Sequence, residues 1–436
     1  MPSSSGTPWL PQEIRDDLVR QLDLASDRSS LNACALAHRS FLPSCQAGLF
    51  REQKFTSANA HDSSSRTVRA MKLLDKSPHL VQYIQFIHLV EEPWRLWIAK
   101  CQALPRLLRR LTQLNSMNVS WKESYERCSD LLSALDHVFR LPTFHHFRAS
   151  QCWNFPPRLL SHMPYLRTVK LDHLRCSPRI AVSHARVRCA QLTSMELRLS
   201  ITAFAAMAVE LRDPDCSLDL SNLRHVTTGL IKNHGMFLDF LNMTPLLFSI
   251  QSLDLTLYED AVANDPTPES SPLVLGDALP RLRHLSLQAL PLRNLQNDIP
   301  TADCFVWLSY QLSSLTGLES LDLHFHVALR TAGDGDIWKP SWHALDNLLY
   351  QMTGLSRVRV HIAHVLDYLP DYKAEENAIA QRVKACLPLL DARGILSVLS
   401  GEHVAGRHLC DGIADIFRQR RGSPLWPSLR MASTSA

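Results

Sequence analysis

The sequence predicts an α/β protein in which strand–helix units stack along the chain with their strands parallel. Two observations carry this reading. A six-residue phrase, apolar at its first, fourth and sixth positions, recurs ten times between Val81 and Val360. Stretches with helical spacing fill the gaps between copies, so the apolar period switches between two and 3.6 along the chain. The runner-up topology, a doubly wound parallel sheet, ranks lower because glycine is scarce where strands should end in turns.

The copies are VQYIQF at Val81, LNSMNV at Leu114, FHHFRA at Phe144, LRTVKL at Leu166 and LTSMEL at Leu192. They continue as LRHVTT at Leu223, IQSLDL at Ile250, LRHLSL at Leu282, LESLDL at Leu318 and LSRVRV at Leu355. Copies at Phe144 and Leu223 end imperfectly. The apolar-x-apolar ending asks for a strand with alternate residues facing inward. Helices are expected in CSDLLSALDHVF, ITAFAAMAVELR, GMFLDFLNM, TADCFVWLSYQLSSL and WHALDNLLYQM. Starts lie 22 to 37 residues apart, near the leucine-rich-repeat period, which makes the array an irregular leucine-rich-repeat-like solenoid with its strands on the concave face. One repeat cannot bury its own apolar face; stacking supplies the core.

Before the array, Leu10, Ile14, Leu18 and Leu22 recur every four residues, with Pro11 tolerated in a first turn. Ser29 or Ser30 can cap a second helix carrying Leu31, Cys34, Ala35 and His38, and Pro43 interrupts it. After the array, residues 373 to 393 form an amphipathic helix divided at Pro388 and closed by Gly394. Two insertions, 259 to 272 (acidic, proline-rich) and 330 to 340 (glycine-broken), read as surface loops. The expected division is a loose start at 1–8, a helical segment at 9–55 and the array at 56–400. A last helix follows at 401–421, then a disordered tail at 422–436.

Composition excludes several classes. Of 436 residues, 45% are hydrophobic and 20% charged, with a formal charge of +4. Basic residues are scattered except for RQRRG near the end, so no nucleic-acid face is expected. No apolar run is long enough to span a bilayer, and MPSSSGTPWL is no signal peptide. Eleven cysteines without a CxxC pair read as reduced thiols in a cytoplasmic or nuclear, unsecreted protein. No phosphate loop, dinucleotide fingerprint, HExxH or GxSxG occurs, so no enzyme chemistry and no cofactor are expected.

Asp322, His324 and His326 alternate on one strand and have the composition of a divalent-metal site. The polar outer face of a repeat strand explains them equally simply and is the reading adopted, with no metal. If the phrases stack in register, Lys170 lies beside Glu196, Asp172 beside Arg198, Asp322 beside Arg359 and His324 beside His361. Opposite charges on neighbouring strands discourage slipped register, so these are expected as a concave-face ladder.

The opening segment WLPQEIRDDLVRQLD…RSSLNACALAHRSFLPSCQAGLFREQKF resembles the F-box-like segment that precedes degenerate leucine-rich repeats in many proteins of mushroom-forming fungi. The resemblance rests on Leu10, Pro11, Glu13, Ile14, Leu31, Cys34, Leu36 and Arg39. It departs at Ala37-His38, where Val-Cys is common, and at Phe41, where the family has Trp. LPLLDARGILSV at 387 to 398 resembles the closing segment of such proteins. The resemblance implies a substrate-recognition adaptor of an SCF-type (cullin–RING) ubiquitin ligase. Leu10, Pro11, Ile14, Leu18, Leu31, Leu36 and Phe41 would grip a Skp-type adaptor, while the repeats hold a protein target. The alternative is a non-catalytic scaffold whose first helices only cap the solenoid, burying Leu10, Ile14 and Leu36 against residues 80 to 120.

Overall fold

The computed structural model describes residues 11–22, 27–56, 60–91, 97–121, 128–155, 157–176, 190–212, 218–231, 248–257, 275–293, 304–328, 339–364 and 372–400. Leu10, the helix expected in GMFLDFLNM, the insertion at 259–272 and everything after Ser400 lie outside them. Among the described residues no helix is long and apolar enough to cross a membrane.

Twelve strands form one all-parallel sheet. They are β1 (Glu52–Thr56), β2 (Phe86–Val90), β3 (Ser116–Ser120), β4 (His146–Ser150), β5 (Thr168–Asp172) and β6 (Ser194–Arg198). Then follow β7 (His225–Ile231), β8 (Ser252–Leu257), β9 (His284–Arg293), β10 (Ser320–Ala328), β11 (Arg357–His364) and β12 (Leu396–Ser400). Strand order equals chain order, with no reversal at which a doubly wound sheet would open its crevice. Four two- or three-residue strands pair separately, Trp153–Phe155 with Arg175–Cys176 and Ala190–Gln191 with Leu218–Asp219.

Each phrase starts its strand at the third residue, and its fourth and sixth residues point inward. Ladder pairing joins them into two inward rows, the second interrupted at Thr228. One runs Ile87, Met117, Phe147, Val169, Met195, Val226, Leu253, Leu285, Leu321 and Val358. The second includes Leu89, Val119, Ala149, Leu171 and Leu197. All of these side chains are buried. The leading leucine of each phrase is buried as well and closes the turn onto the sheet.

A backbone device repeats with the same period. The carbonyl of each phrase's second residue accepts N–H groups from the second and third residues of the next phrase. Gln85 O accepts from Asn115 and Ser116 at 2.8 and 3.0 Å, and Arg283 O from Glu319 and Ser320 at 2.8 and 2.9 Å. The series is unbroken from Gln85 to Arg357. It also corrects the first copy. VQYIQF at Val81 is out of phase, because Pro78–Tyr83 is a 3-10 turn. The repeat in register is Ile84-Gln85-Phe86-Ile87-His88-Leu89, whose first, fourth and sixth residues are all buried.

The helices are α1 (Gln12–Arg20), α2 (Arg28–Ala37), α3 (Leu42–Arg51), α4 (Ala60–Lys76), α5 (Ala103–Arg110) and α6 (Ser129–Phe139). Next come α7 (Ile201–Arg212), α8 (Leu275–Ala278), α9 (Cys304–Leu312), α10 (Lys339–Gln351), α11 (Tyr372–Ala385) and α12 (Pro388–Ala392). The break between α11 and α12 falls at Pro388 as expected, and Gly394 follows at φ +73°. Successive helices pack on one another, α4 on α5 on α6 and α8 on α9 on α10. They cover the inward rows: Trp342 of α10 meets Phe305 of α9 at 4.8 Å and Phe325 of β10 at 5.2 Å. Asp346 of α10 is buried and accepts the N–H groups of Leu389 and Leu390 at 2.9 and 3.0 Å, capping α12.

Two strands lie beyond the ten phrases. β1 falls across the expected boundary at residue 55, and β12 lacks the leading leucine, with Arg393 in its place. Arg393 instead donates to the carbonyls of Met352 and Leu355 at 3.2 and 2.7 Å, fastening this end to the last turn of α10 and the segment after it.

The weakest repeat is β7. Thr228 stands where the phrase wants its last leucine, is buried, and its hydroxyl has no partner. Gly229 follows at a bulge, where a Cβ would sit 2.6 Å from Arg198 Cα. Replacing Thr228 by Val removes an unsatisfied buried hydroxyl at nearly constant shape and is expected to stabilise by ~1 kcal/mol. Gly229→Ala forces β6 and β7 apart and is expected to cost roughly 1–3 kcal/mol. Thermal melts of both variants check the pair: Tm rises for the first and falls for the second.

Candidate partner-binding surfaces

The first three helices form a small unit with a core of its own. Val19 of α1, Leu31 of α2 and Cys45 of α3 are buried together, with Leu22, Cys34, Ala35, Phe41 and Leu49 packed around them. Gln12 Nε2 donates to Ser40 O at 3.1 Å, and Ser44 Oγ donates to Asp16 Oδ1, tying α1 to the start of α3. α2 begins at Arg28 with Asp27, not Ser29 or Ser30, in the cap position. Through α3 the unit rests on the Pro78–Tyr83 turn and on β1.

This packing divides the resemblance-derived residues. Within the stripe, Ile14 and Leu18 face outward, Leu22 packs against the small core that Val19 enters from α1, and Leu10 lies outside the described residues. Ile14 is 45% exposed and Leu18 49%, with Pro11 exposed on the same side. Leu36, at the far side of α2 from Leu31, is 88% exposed. Leu31 is 1% exposed and Phe41 half-buried, so these two hold the unit together and present little or nothing outward. Exposed Leu42 belongs with the outward set, a residue the sequence reading passed over.

The second surface is the helix-free face of the sheet, lined by the third and fifth residues of each phrase. All four sequence-predicted neighbours are register partners: Lys170 with Glu196, Asp172 with Arg198, Asp322 with Arg359 and His324 with His361. Lys170 Nζ lies 2.8 Å from Glu196 Oε2. Arg359 forks onto Asp322, with Nε and Nη2 donating at 2.8 and 2.5 Å. The imidazoles of His324 and His361 stack in parallel, 4.1 Å between centroids and 3° between planes. Asp172 and Arg198 are neighbours without being each other's ion pair. Arg198 Nε turns along its own strand to Glu196 at 3.0 Å, and Asp172 reaches back to Arg148 at 3.7 Å. Among the described residues no group of three ligating side chains is placed to hold a metal ion.

Arg148, Asp254, Ser286 and Gln288 belong to the same face and escaped the sequence reading; continuing the predicted register through β4, β8 and β9 would have found them. Gln288 Nε2 donates to both carboxylate oxygens of Asp254, at 2.8 and 3.0 Å. Burial pushes the Asp254 carboxyl up. The Ser286 and Gln288 hydrogen bonds and Arg198 oppose that shift, while Asp322 reinforces it. Burial also acts to raise Glu196, but the Lys170 hydrogen bond and charge, with Arg198 and Arg148, outweigh it and hold the carboxyl below its usual range.

No protein-family model matches this chain, and no curated protein pairs with it in sequence.

The two carboxylates give opposite pH dependence. Glu196, depressed in the folded state, adds stability above its unfolded pKa that is lost as pH falls through its folded pKa. Asp254, raised in the folded state, withholds stability at neutral pH and returns it as pH falls through its raised pKa. Glu196→Gln is therefore expected to lower Tm at pH 7, and Asp254→Asn to raise it. Melts from pH 7 downward check this: both differences shrink, and that of Asp254→Asn shrinks first.

Proposed function

We propose that this protein is a substrate-recognition adaptor of an SCF-type ubiquitin ligase. In this reading the F-box-like helices bind a Skp-type adaptor, and the leucine-rich-repeat-like sheet face holds a protein target. The supporting observation is the outward set on the first two helices. Ile14, Leu18 and Leu36 stand exposed on a unit that already has a closed core in Val19, Leu31 and Cys45. Each such side chain contributes about 1.5–3 kcal/mol when a partner buries it fully, and an unpartnered helix gains nothing from exposing them. The grip would use Pro11, Ile14, Leu18 and Leu36, with Leu31 and Phe41 supporting from within. Leu10 completes the motif in sequence.

The chain itself makes and breaks no bond in this reading. It acts by effective concentration, keeping a target near an enzyme supplied by the cullin complex. The open sheet face suits such a task, because its polar side chains stand on a backbone fixed by parallel ladders on both sides. The cap-only alternative requires Ile14 and Leu36 to be buried against residues 80 to 120, and both are exposed. α3 and the Pro78–Tyr83 turn supply the cap without them.

The test is capture of the full chain by a purified Skp-type adaptor. Retention is expected for the natural sequence and a loss of at least about tenfold in affinity, ~1.4 kcal/mol, for Ile14→Asp/Leu36→Asp. Unchanged Tm in that variant shows that the exposed positions carry no fold. Equal retention of the two proteins, or of neither, overturns the proposal.

A further inference from the structure

Among the described residues the sheet ends at β1, which pairs with β2 on one side only. Arg51 O accepts Gln85 N–H at 3.0 Å, so the carbonyl before β1 faces β2. Alternation along a parallel strand then turns the main-chain groups of Gln53 and Phe55 toward β2, and those of Glu52 and Lys54 toward the unpaired edge. Bare edges of this kind are templates for another strand.

This edge runs along a cleft of about 810 Å3 whose walls come from two different units. α3 provides Leu49 and Phe50, α4 provides Leu73 and Leu74, and the floor reaches Phe55 and Ile87. Three arginines stand on its rim, Arg28 from α2 with Arg66 and Arg69 from α4. Arg28, Arg66 and Lys54 have no carboxylate partner among the described residues. Glu52, the one acid lining the cleft among the described residues, lies 3.2 Å from His88 Nε2. Among the described residues the cleft therefore combines an apolar floor, a strand edge with no pairing strand at Glu52 and Lys54, and three cations, Arg28, Arg66 and Lys54, without a carboxylate partner.

We propose that this edge accepts an extended acidic peptide of a partner protein as an added strand. Main-chain groups at Glu52 and Lys54 bind its backbone. Its apolar residues, at alternate positions, continue the inward rows over Phe55 and the cleft floor. Acidic residues between them face Lys54, repeating the cross-strand pairing that joins Lys170 to Glu196, and meet the rim arginines. The site is separate from the outward helix surface and from the open sheet face, so it stands whether or not the chain binds a Skp-type adaptor.

The probe is a short fluorescein-labelled peptide alternating glutamate with valine, titrated with the full chain and read by fluorescence anisotropy. Saturable binding is expected, weakened about tenfold by Arg66→Glu and by Lys54→Pro. The proline removes an N–H that faces the edge and no ladder bond to β2. A peptide N-methylated at alternate residues, and one with lysine for glutamate, are expected to lose binding. Undiminished binding by the N-methylated peptide, or by Lys54→Pro, would reduce the interaction to unspecific charge attraction and overturn the proposal. So would concentration-dependent self-association that Lys54→Pro abolishes, which would make a second copy the occupant.

Discussion

The architecture depends on two inward rows, apolar but for Thr228, that run across the parallel strands. A single strand of the type Leu-x-x-Leu-x-Leu exposes as much apolar surface as it buries, and only neighbours on both sides remove the exposure. Each inward leucine or valine contributes about 1.5–3 kcal/mol when fully buried. A surface ion pair on the opposite face contributes about 0–1 kcal/mol. The rows thus set the fold, and the charged ladder selects register within it. The repeated acceptor carbonyl, from Gln85 through Glu319, adds a second constraint of the same period. It fixes each strand's start relative to the last, so helices of different lengths between copies do not disturb the stack.

Much of this was legible because period two and a fixed leucine spacing survive even in poor copies. Phe144 and Leu223 begin good strands although their phrases end in Ala149 and Thr228. Phase was harder to read than existence. Val81 and Ile84 both open an apolar series, and only the proline-started turn at Pro78–Tyr83 decides between them. β1 and β12 were missed because each, at an end of the sheet, lacks part of the phrase. In β1 Gln53 occupies the first inward position; in β12 Arg393 replaces the leading leucine and binds carbonyls instead.

The surfaces were legible in register and less so in contact. All four ladder neighbours could be named from spacing alone, because parallel strands pair like with like. Which side chains then bond depends on reach. Lys170 crosses to Glu196, whereas Arg198 finds the same carboxylate two residues back on its own strand and leaves Asp172 to Arg148. For α1 the sequence marked a stripe that the fold divides: Ile14 and Leu18 stand outward, while Leu22 packs on the small core. Helical spacing names the members of a face without saying which way the helix lies, and Val19, out of line with the stripe, decides that by packing with Leu31 and Cys45.

Charge along the open face has a direction that follows from these pairings. In the row of fifth phrase residues, Glu196 is matched by Lys170 and Asp322 by Arg359, while Asp254 is matched by the amide of Gln288 two residues beyond that row. The acids are thereby satisfied inside the ladder, each by a neighbour one strand away. The same row ends at Lys54, which among the described residues has a strand on one side only, so the pairing rule that serves the interior offers it no partner there. An end of a parallel stack is therefore different in kind from its middle. It keeps the main-chain groups, the apolar row and the charge preference of every other strand and lacks the neighbour that would use them. At the β12 end Arg393 is spent on the carbonyls of Met352 and Leu355 in the preceding repeat. At β1 the helices stand back from the strand and leave a cleft along it, and what fits there is dictated by the repeat itself.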